Sequence, residues 1–133
     1  MLVRDYLHRL AGSAVAVSPG ELSRAEHVGG LARQAGSDLE REWLEMVAKA
    51  GYRLPEHAQA LMDWAGTRPD FTYDDARVAV YVDGPHHLYP HRAARDADAD
   101  DRLYAKGWTA VRFAAHDDWP AIFAKHADTF GRP

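Results

Sequence analysis

The clearest periodic signal in the chain begins at Ser37, where apolar positions fall into helical register. Ser37-Asp38-Leu39-Glu40 reads as a capping box, in which a hydroxyl and a carboxylate satisfy backbone N–H groups of the first turn. Leu39, Trp43, Met46, Val47 and Ala50 share one stripe, while Arg41, Glu42, Glu45 and Lys49 face water, and Gly51 stops the helix. Beyond it the period shortens. Residues 59–62 suit a first short strand or equally a helical turn. Asp70-Phe71-Thr72-Tyr73 reads as a strand, Asp74-Asp75 as a hairpin turn, and 77–82 as the next strand. The run Val78-Ala79-Val80-Tyr81-Val82 is apolar throughout, as expected of a central strand covered on both faces. A helix over 92–106 follows Pro90 and ends at Gly107, 108–113 is a last strand, and 118–127 is a closing helix with Pro120 in its first turn.

The N-terminal stretch is weaker. Residues 2–11 read as a short helix with Leu2, Tyr6, Leu7 and Leu10 on one side, 12–20 as a small-residue connector, and 21–35 as a helix weakened by Gly29-Gly30. Residues 1–35 are therefore expected to be a peripheral helical segment or linker, and 36–133 the main domain. The order of elements implies an α/β or α+β layered domain around one mixed sheet. The helix over 92–106 makes the crossover between parallel strands, which is expected to be right-handed.

A length of 133 residues suits one domain, and 47% hydrophobic with 27% charged residues is ordinary for a soluble globular protein. The absence of cysteine excludes disulfides, thiolate zinc sites and cysteine nucleophiles. No apolar run approaches the roughly eighteen residues of a membrane span, and the first residues lack the apolar core of a secretory signal, so a cytoplasmic protein is expected. Sixteen Lys plus Arg against twenty Asp plus Glu give a net charge of −4. That argues against a non-specific nucleic-acid coat. It leaves room for an enzyme acting on DNA, because a bound cation reverses the local field of clustered carboxylates.

The candidate chemistry is acidic. Asp70 opens one strand and Asp83 ends its neighbour, so a tight hairpin brings them to one edge of the sheet, a hard-oxygen site suited to Mg²⁺. Taken singly, Asp70 is a polar strand start and Asp83 a support for the Gly84-Pro85 turn. At about 100° per residue, Ala93, Asp96, Ala97, Asp100, Leu103, Tyr104 and Gly107 share the stripe that faces the sheet, with Arg95, Asp98, Asp101 and Arg102 opposite. Inward carboxylates are costly unless paired or metal-bound. Asp96 and Asp100 are thus either salt-bridged, to Arg112 or from Asp96 to Arg92, or part of an active site. Glu40 is accounted for by its capping box. His86, His87 and His91 cluster after Asp83, where a histidine can relay a proton to or from an attacking water. His87 and His91 are spaced for zinc on a helix, but Pro90 interrupts one, and His91 reads as exposed loop.

In order and spacing these pieces resemble the very-short-patch-repair-like branch of the PD-(D/E)XK restriction-endonuclease-like nucleases. The resemblance runs through Ser37-x-x-Glu40, Arg68-Pro69-Asp70-Phe71, Val80-Tyr81-Val82-Asp83-Gly84-Pro85-x-His87, Asp96-x-x-x-Asp100-x-x-Leu103-x-x-x-Gly107-Trp108 and Val111-Arg112-Phe113. With Asp117-Asp118-Trp119 and Phe130-Gly131, the stretch is also similar to a nuclease-like domain at the C-terminus of large DEAD/DEAH-box helicases. The resemblance implies a three-layer domain with a central mixed sheet of about four strands flanked by helices, cutting DNA with Mg²⁺ or Mn²⁺. By position, Asp70 would be the central metal ligand, flanked by the Val82 carbonyl and Asp83. Glu40, Asp96 and Asp100 would be accessory groups, and His87 a proton-transfer group. Arg92, Arg95, Lys106 and Arg112 would contact DNA phosphates. Tyr81 stands where the superfamily has its second acid, and Asp83 where it has its lysine. The repair-type branch also replaces both, with an aromatic and a histidine. The expected function is a DNA endonuclease of repair or defence, alone or joined to a helicase, or else a degenerate nuclease fold that binds DNA or a partner.

Overall fold

The computed structural model describes residues 19–84 and 90–132, with side chains described over 23–84 and 97–132. The helix expected over 2–11 lies outside the described residues. The chain divides into two compact units between Gln34 and Ala35. In the first, α1 (Pro19–Gln34) begins at Pro19, ahead of the expected start, and runs through Gly29-Gly30 without interruption. Its Ala25, Val28, Leu31 and Ala32 are buried.

The second unit is a mixed α/β fold. Its elements are α2 (Asp38–Ala50), β1 (His57–Ala58), a 3-10 turn (Asp63–Ala65), β2 (Phe71–Tyr73), β3 (Val78–Asp83), α3 (Pro90–Ala105), β4 (Thr109–Ala114), α4 (Trp119–Lys125) and α5 (Ala127–Phe130). The four strands lie in the order β1-β2-β3-β4, the first two pairs antiparallel and the last parallel, so α3 is the crossover.

Register sorts the side chains into two faces. Phe71 pairs with Val80 and Val80 with Val111, while Val82 pairs with Phe113, so these five share one face. Trp43 of α2 covers that face, stacked on Phe71 at 4.7 Å and edge-on to Phe113 at 5.5 Å, with Phe123 and Phe130 of the C-terminal helices closing around it. The opposite face carries Ala79, Tyr81 and Ala110, on which Leu103 of α3 packs together with Met62, Ala65 and Trp108. Helices on both faces explain why 78–82 is apolar at every position.

Several boundaries and phases differ from expectation, each for a local reason. The capping box forms, Ser37 Oγ accepting from Glu40 N–H, but the inward stripe of α2 is Glu40, Trp43, Leu44 and Val47. It is centred on the Trp43 ring rather than on Leu39, Met46 and Ala50. The first strand is 57–58 rather than 59–62, because Gln59 turns to a φ of 57° and ends it. Arg77 is also left-handed, so the β2–β3 turn takes four residues and β3 runs from Val78 to Asp83. Pro90 is the first residue of α3, where no N–H is required, rather than a residue before it. The inward side of α3 is Ala99, Asp100 and Leu103; Ala97 and Tyr104, expected inside, are exposed. Gly107, at a φ of 81°, ends the helix segment, and β4 starts one residue later than expected, at Thr109. The closing helix breaks at His126 into α4 and α5, and Pro120 sits in the first turn of α4, under the Asp118 cap.

The Trp43 Nε1–H is buried without a hydrogen-bond partner. Trp43→Ala is expected to cost about 3–5 kcal/mol of unfolding free energy. Trp43→Phe should cost far less, since it removes the unpaired donor together with part of the ring. Denaturant unfolding of both variants checks this.

Candidate functional site

Asp70 precedes β2, and its carboxylate ties the open end of the β2–β3 pair. Asp70 Oδ2 accepts from the Val82 N–H at 2.7 Å. Oδ1 accepts from the Gln59 amide at 3.2 Å, and the same Nε2 donates to Glu40 Oε1 at 2.7 Å. Gln59 is brought there by its left-handed backbone directly after β1, a conformation that a residue with a Cβ adopts at some cost. Glu40 arrives from the first turn of α2. It is buried, and it also accepts the Gly36 N–H at 2.9 Å and the Ser37 hydroxyl at 2.8 Å. The capping box therefore accounts for only part of Glu40. Its other role is to meet, through one amide, a carboxylate thirty positions further along the chain.

The surroundings of Asp70 favour its neutral form. Its pKa is raised from 3.8 to about 6, first by burial, against the Val82 N–H, then by the charge on Glu40, against the Gln59 amide, and last by the charge on Asp83. Three acids distant in sequence thus act on one another at this end of the sheet.

A second cluster lies on the α3 side. Arg112 of β4 donates from Nη2 to Asp100 Oδ1 at 2.9 Å, and its Nη1 lies 3.8 Å from Asp83 Oδ2. Its guanidinium sits 4.4 Å from the centre of the Tyr81 ring, and the Tyr81 hydroxyl shares a 2.7 Å hydrogen bond with Thr67 Oγ1. The salt bridge to Arg112 expected for Asp100 is formed. Asp100 is only a quarter exposed, whereas Asp98 and Asp101 are open to water.

His87 lies outside the described residues, as do the side chains of Arg92, Arg95 and Asp96. Lys106 is exposed. Among the described residues no three Asp, Glu or His side chains converge as a ready-made metal cage. What the fold does bring together is Asp70, bonded to the Val82 N–H, and Asp83, the next residue along β3, whose charge acts on Asp70. One or two carboxylates completed by water suit Mg²⁺ or Mn²⁺, which rarely take an all-protein cage. Gln59 was not singled out by the sequence: an isolated amide at a strand end carries no local signal.

No family description, curated protein or solved structure matches the chain.

The Asp70 environment sets a pH dependence. Its pKa is higher in the folded chain than in the unfolded one, so the folded state holds more protons between pH 3.8 and about 6. The resulting stability is complete below pH 3.8 and lost as pH rises through 6. With Asp70 partly solvated, a loss on the order of 2 kcal/mol is expected. Unfolding free energies from pH 4 to 7.5 should fall more steeply for the wild type than for Asp70→Asn. Parallel pH profiles would exclude an Asp70 contribution.

Proposed function

We propose that the chain is a metal-dependent DNA endonuclease domain of the very-short-patch-repair-like kind, hydrolysing phosphodiester bonds in repair or in defence against foreign DNA, alone or joined to a helicase. The observation that carries this reading is the Asp70 carboxylate, held partly buried between the charges of Glu40 and Asp83 at a cost to stability. Titratable groups perturbed in this way concentrate at functional sites. The mixed four-stranded sheet between helices is compatible with the same reading.

Asp70 and Asp83, with the Val82 carbonyl, would hold Mg²⁺ or Mn²⁺. The ion supplies Lewis acidity toward a phosphoryl oxygen and a lowered pKa for its water. The chain's own groups orient the ligands. The Val82 N–H fixes one oxygen of Asp70, and the Gln59 amide fixes the other while separating Asp70 from Glu40. The remaining lone pairs of Asp70 are left for a cation. His87 enters as the proton-transfer group through the resemblance alone. Lys106 and Arg112 are the described candidates for phosphate contacts.

A second reading has a specific observation in its favour. Arg112 already neutralises Asp83 and Asp100, which supports a degenerate nuclease fold that binds DNA without cutting it.

Asp70→Ala is expected to abolish Mg²⁺- or Mn²⁺-dependent cleavage across single-stranded, duplex and mismatched DNA. It should leave the fold intact and raise the melting temperature in metal-free buffer, because it relieves repulsion among the acids. Undiminished cleavage by the variant would exclude this mechanism. A wild-type chain that cuts nothing and binds neither ion by calorimetry, yet binds DNA without metal, would favour the second reading.

A further inference from the structure

The connection from Gln59 to Asp70 carries an exposed tryptophan on a tightly pinned loop. Met62 and Thr67 exchange backbone hydrogen bonds, Met62 N–H to Thr67 O at 2.8 Å and Thr67 N–H to Met62 O at 3.3 Å. Inside this bridge the Ala65 N–H donates to Met62 O and the Gly66 N–H to Asp63 O, with Gly66 at a φ of 67°. The Arg102 guanidinium on α3 donates to Ala65 O at 3.0 Å, and the Ala65 side chain is fully buried beneath. Thr67 is held in turn by Tyr81. At the tip of this fixed turn the Trp64 side chain remains 45% exposed. Its inner edge meets Trp108, the ring centres 6.4 Å apart and tilted by 55°.

An indole held in water on a rigid support gains little from folding and keeps a π face available. Its neighbours are cationic. Arg102 lies against the loop, and the Arg77 guanidinium reaches Gly107, the residue before Trp108, within 3.2 Å of where a Cβ would stand. Arg68 and Lys106 are exposed close by in sequence. None of these four pairs with a carboxylate among the described residues, whereas Arg41, Lys49, Arg53 and Arg112 all do. Asp63 is the one acid on the turn. In a chain of net charge −4, cations that form no ion pair among the described residues, beside two indoles, complement a ligand that combines negative charge with flat apolar faces. Single-stranded nucleic acid is that ligand, because bases stack on aromatic rings whatever their sequence while phosphates meet cations.

We propose that Trp64 and Trp108, flanked by Arg77 and Arg102, form a stacking platform for an unpaired base of single-stranded DNA. The inference rests on the nuclease reading above and deepens it, by making single-stranded DNA the substrate class. The platform lies toward the Val78–Thr109 end of the β3–β4 pair and Asp83 lies at the other. Five residue-to-residue steps along β3 separate those ends, about 17 Å. Arg68 stands on the connection between Trp64 and Asp70.

The test is binding of a fluorescently labelled oligothymidylate to the full chain in EDTA, by anisotropy, with a duplex of equal length alongside. The wild type should prefer the single strand, and Trp64 emission should be quenched on binding. Trp64→Ala should lower affinity about 5- to 150-fold, the range for one stacked base, and Trp64→Phe should recover part of it. The thermal melt of Trp64→Ala should be little changed, because hydrogen bonds that do not involve its ring hold the turn. Arg77→Asn keeps a residue that tolerates the left-handed backbone, and should reduce the salt slope of single-strand binding by about 0.7. Equal affinity in Trp64→Ala would overturn the platform, even if Asp70-dependent cleavage by the wild type is found. Binding that requires Trp64, in a chain that cuts nothing in Mn²⁺, would keep the platform and remove the nuclease. A chain that ignores both oligonucleotides but self-associates through Trp64 in sedimentation would overturn the platform, and would make this face a protein contact.

Discussion

The stack of Trp43 on Phe71 is the contact on which the Asp70 site depends. Phe71 is the neighbour of Asp70 in the chain, and Trp43 stands one helical turn after Glu40. Packing these rings at 4.7 Å sets the rotation of α2 and its height above the sheet. That placement turns Glu40 inward, toward Gln59, rather than along the helix surface. The aromatic ring of Phe113, Phe123 and Phe130 leaves the indole no other seat. The arrangement has two costs, an unpaired indole N–H and a buried carboxylate. Burial of large aromatic surface offsets the first. For the second, Glu40 accepts side-chain and backbone hydrogen bonds from Gly36, Ser37 and Gln59, which replace the water it has lost.

The two acid pairs of the domain are stabilised in opposite ways. Asp83 and Asp100 share the Arg112 guanidinium, which neutralises charge and is supported from below by the Tyr81 ring. Glu40 and Asp70 share only a neutral amide, which satisfies oxygens without removing charge. Negative potential therefore persists on the Asp70 side. The Glu40 charge adds to burial, the larger cause, in raising the proton affinity of Asp70.

The segment from Gln59 to Asp70 links these features. It leaves β1 through a strained left-handed residue, forms a closed turn that displays Trp64, and returns through Thr67, which is anchored to Tyr81. It ends at the Asp70 carboxylate, fastened to β3. An irregular connection with this many fixed points is a rigid one, and rigid loops on a sheet edge are where function-bearing side chains are commonly presented.

Local chemistry was legible in the sequence. The capping box at Ser37, the apolar run of 78–82, the hairpin into it and the crossover to β4 each depend on neighbours a few residues apart. So does the expectation that Asp70 and Asp83 share one end of the sheet, since a short turn joins their strands. The inward direction of each helix was legible only coarsely. Periodicity names the more apolar side, but the Trp43 stack and the Leu103 contact determine which of Leu39 or Leu44, and Ala97 or Ala99, is buried. The inward stripe of α3 suggested a salt bridge from Asp100 to a sheet arginine such as Arg112, and the position of Arg112 on β4 allows it. Gln59 could not have been found at all. Its role requires a left-handed φ that its type does not suggest, and two carboxylates, 19 positions upstream and 11 downstream, that only the packed sheet and helix bring within reach of one amide.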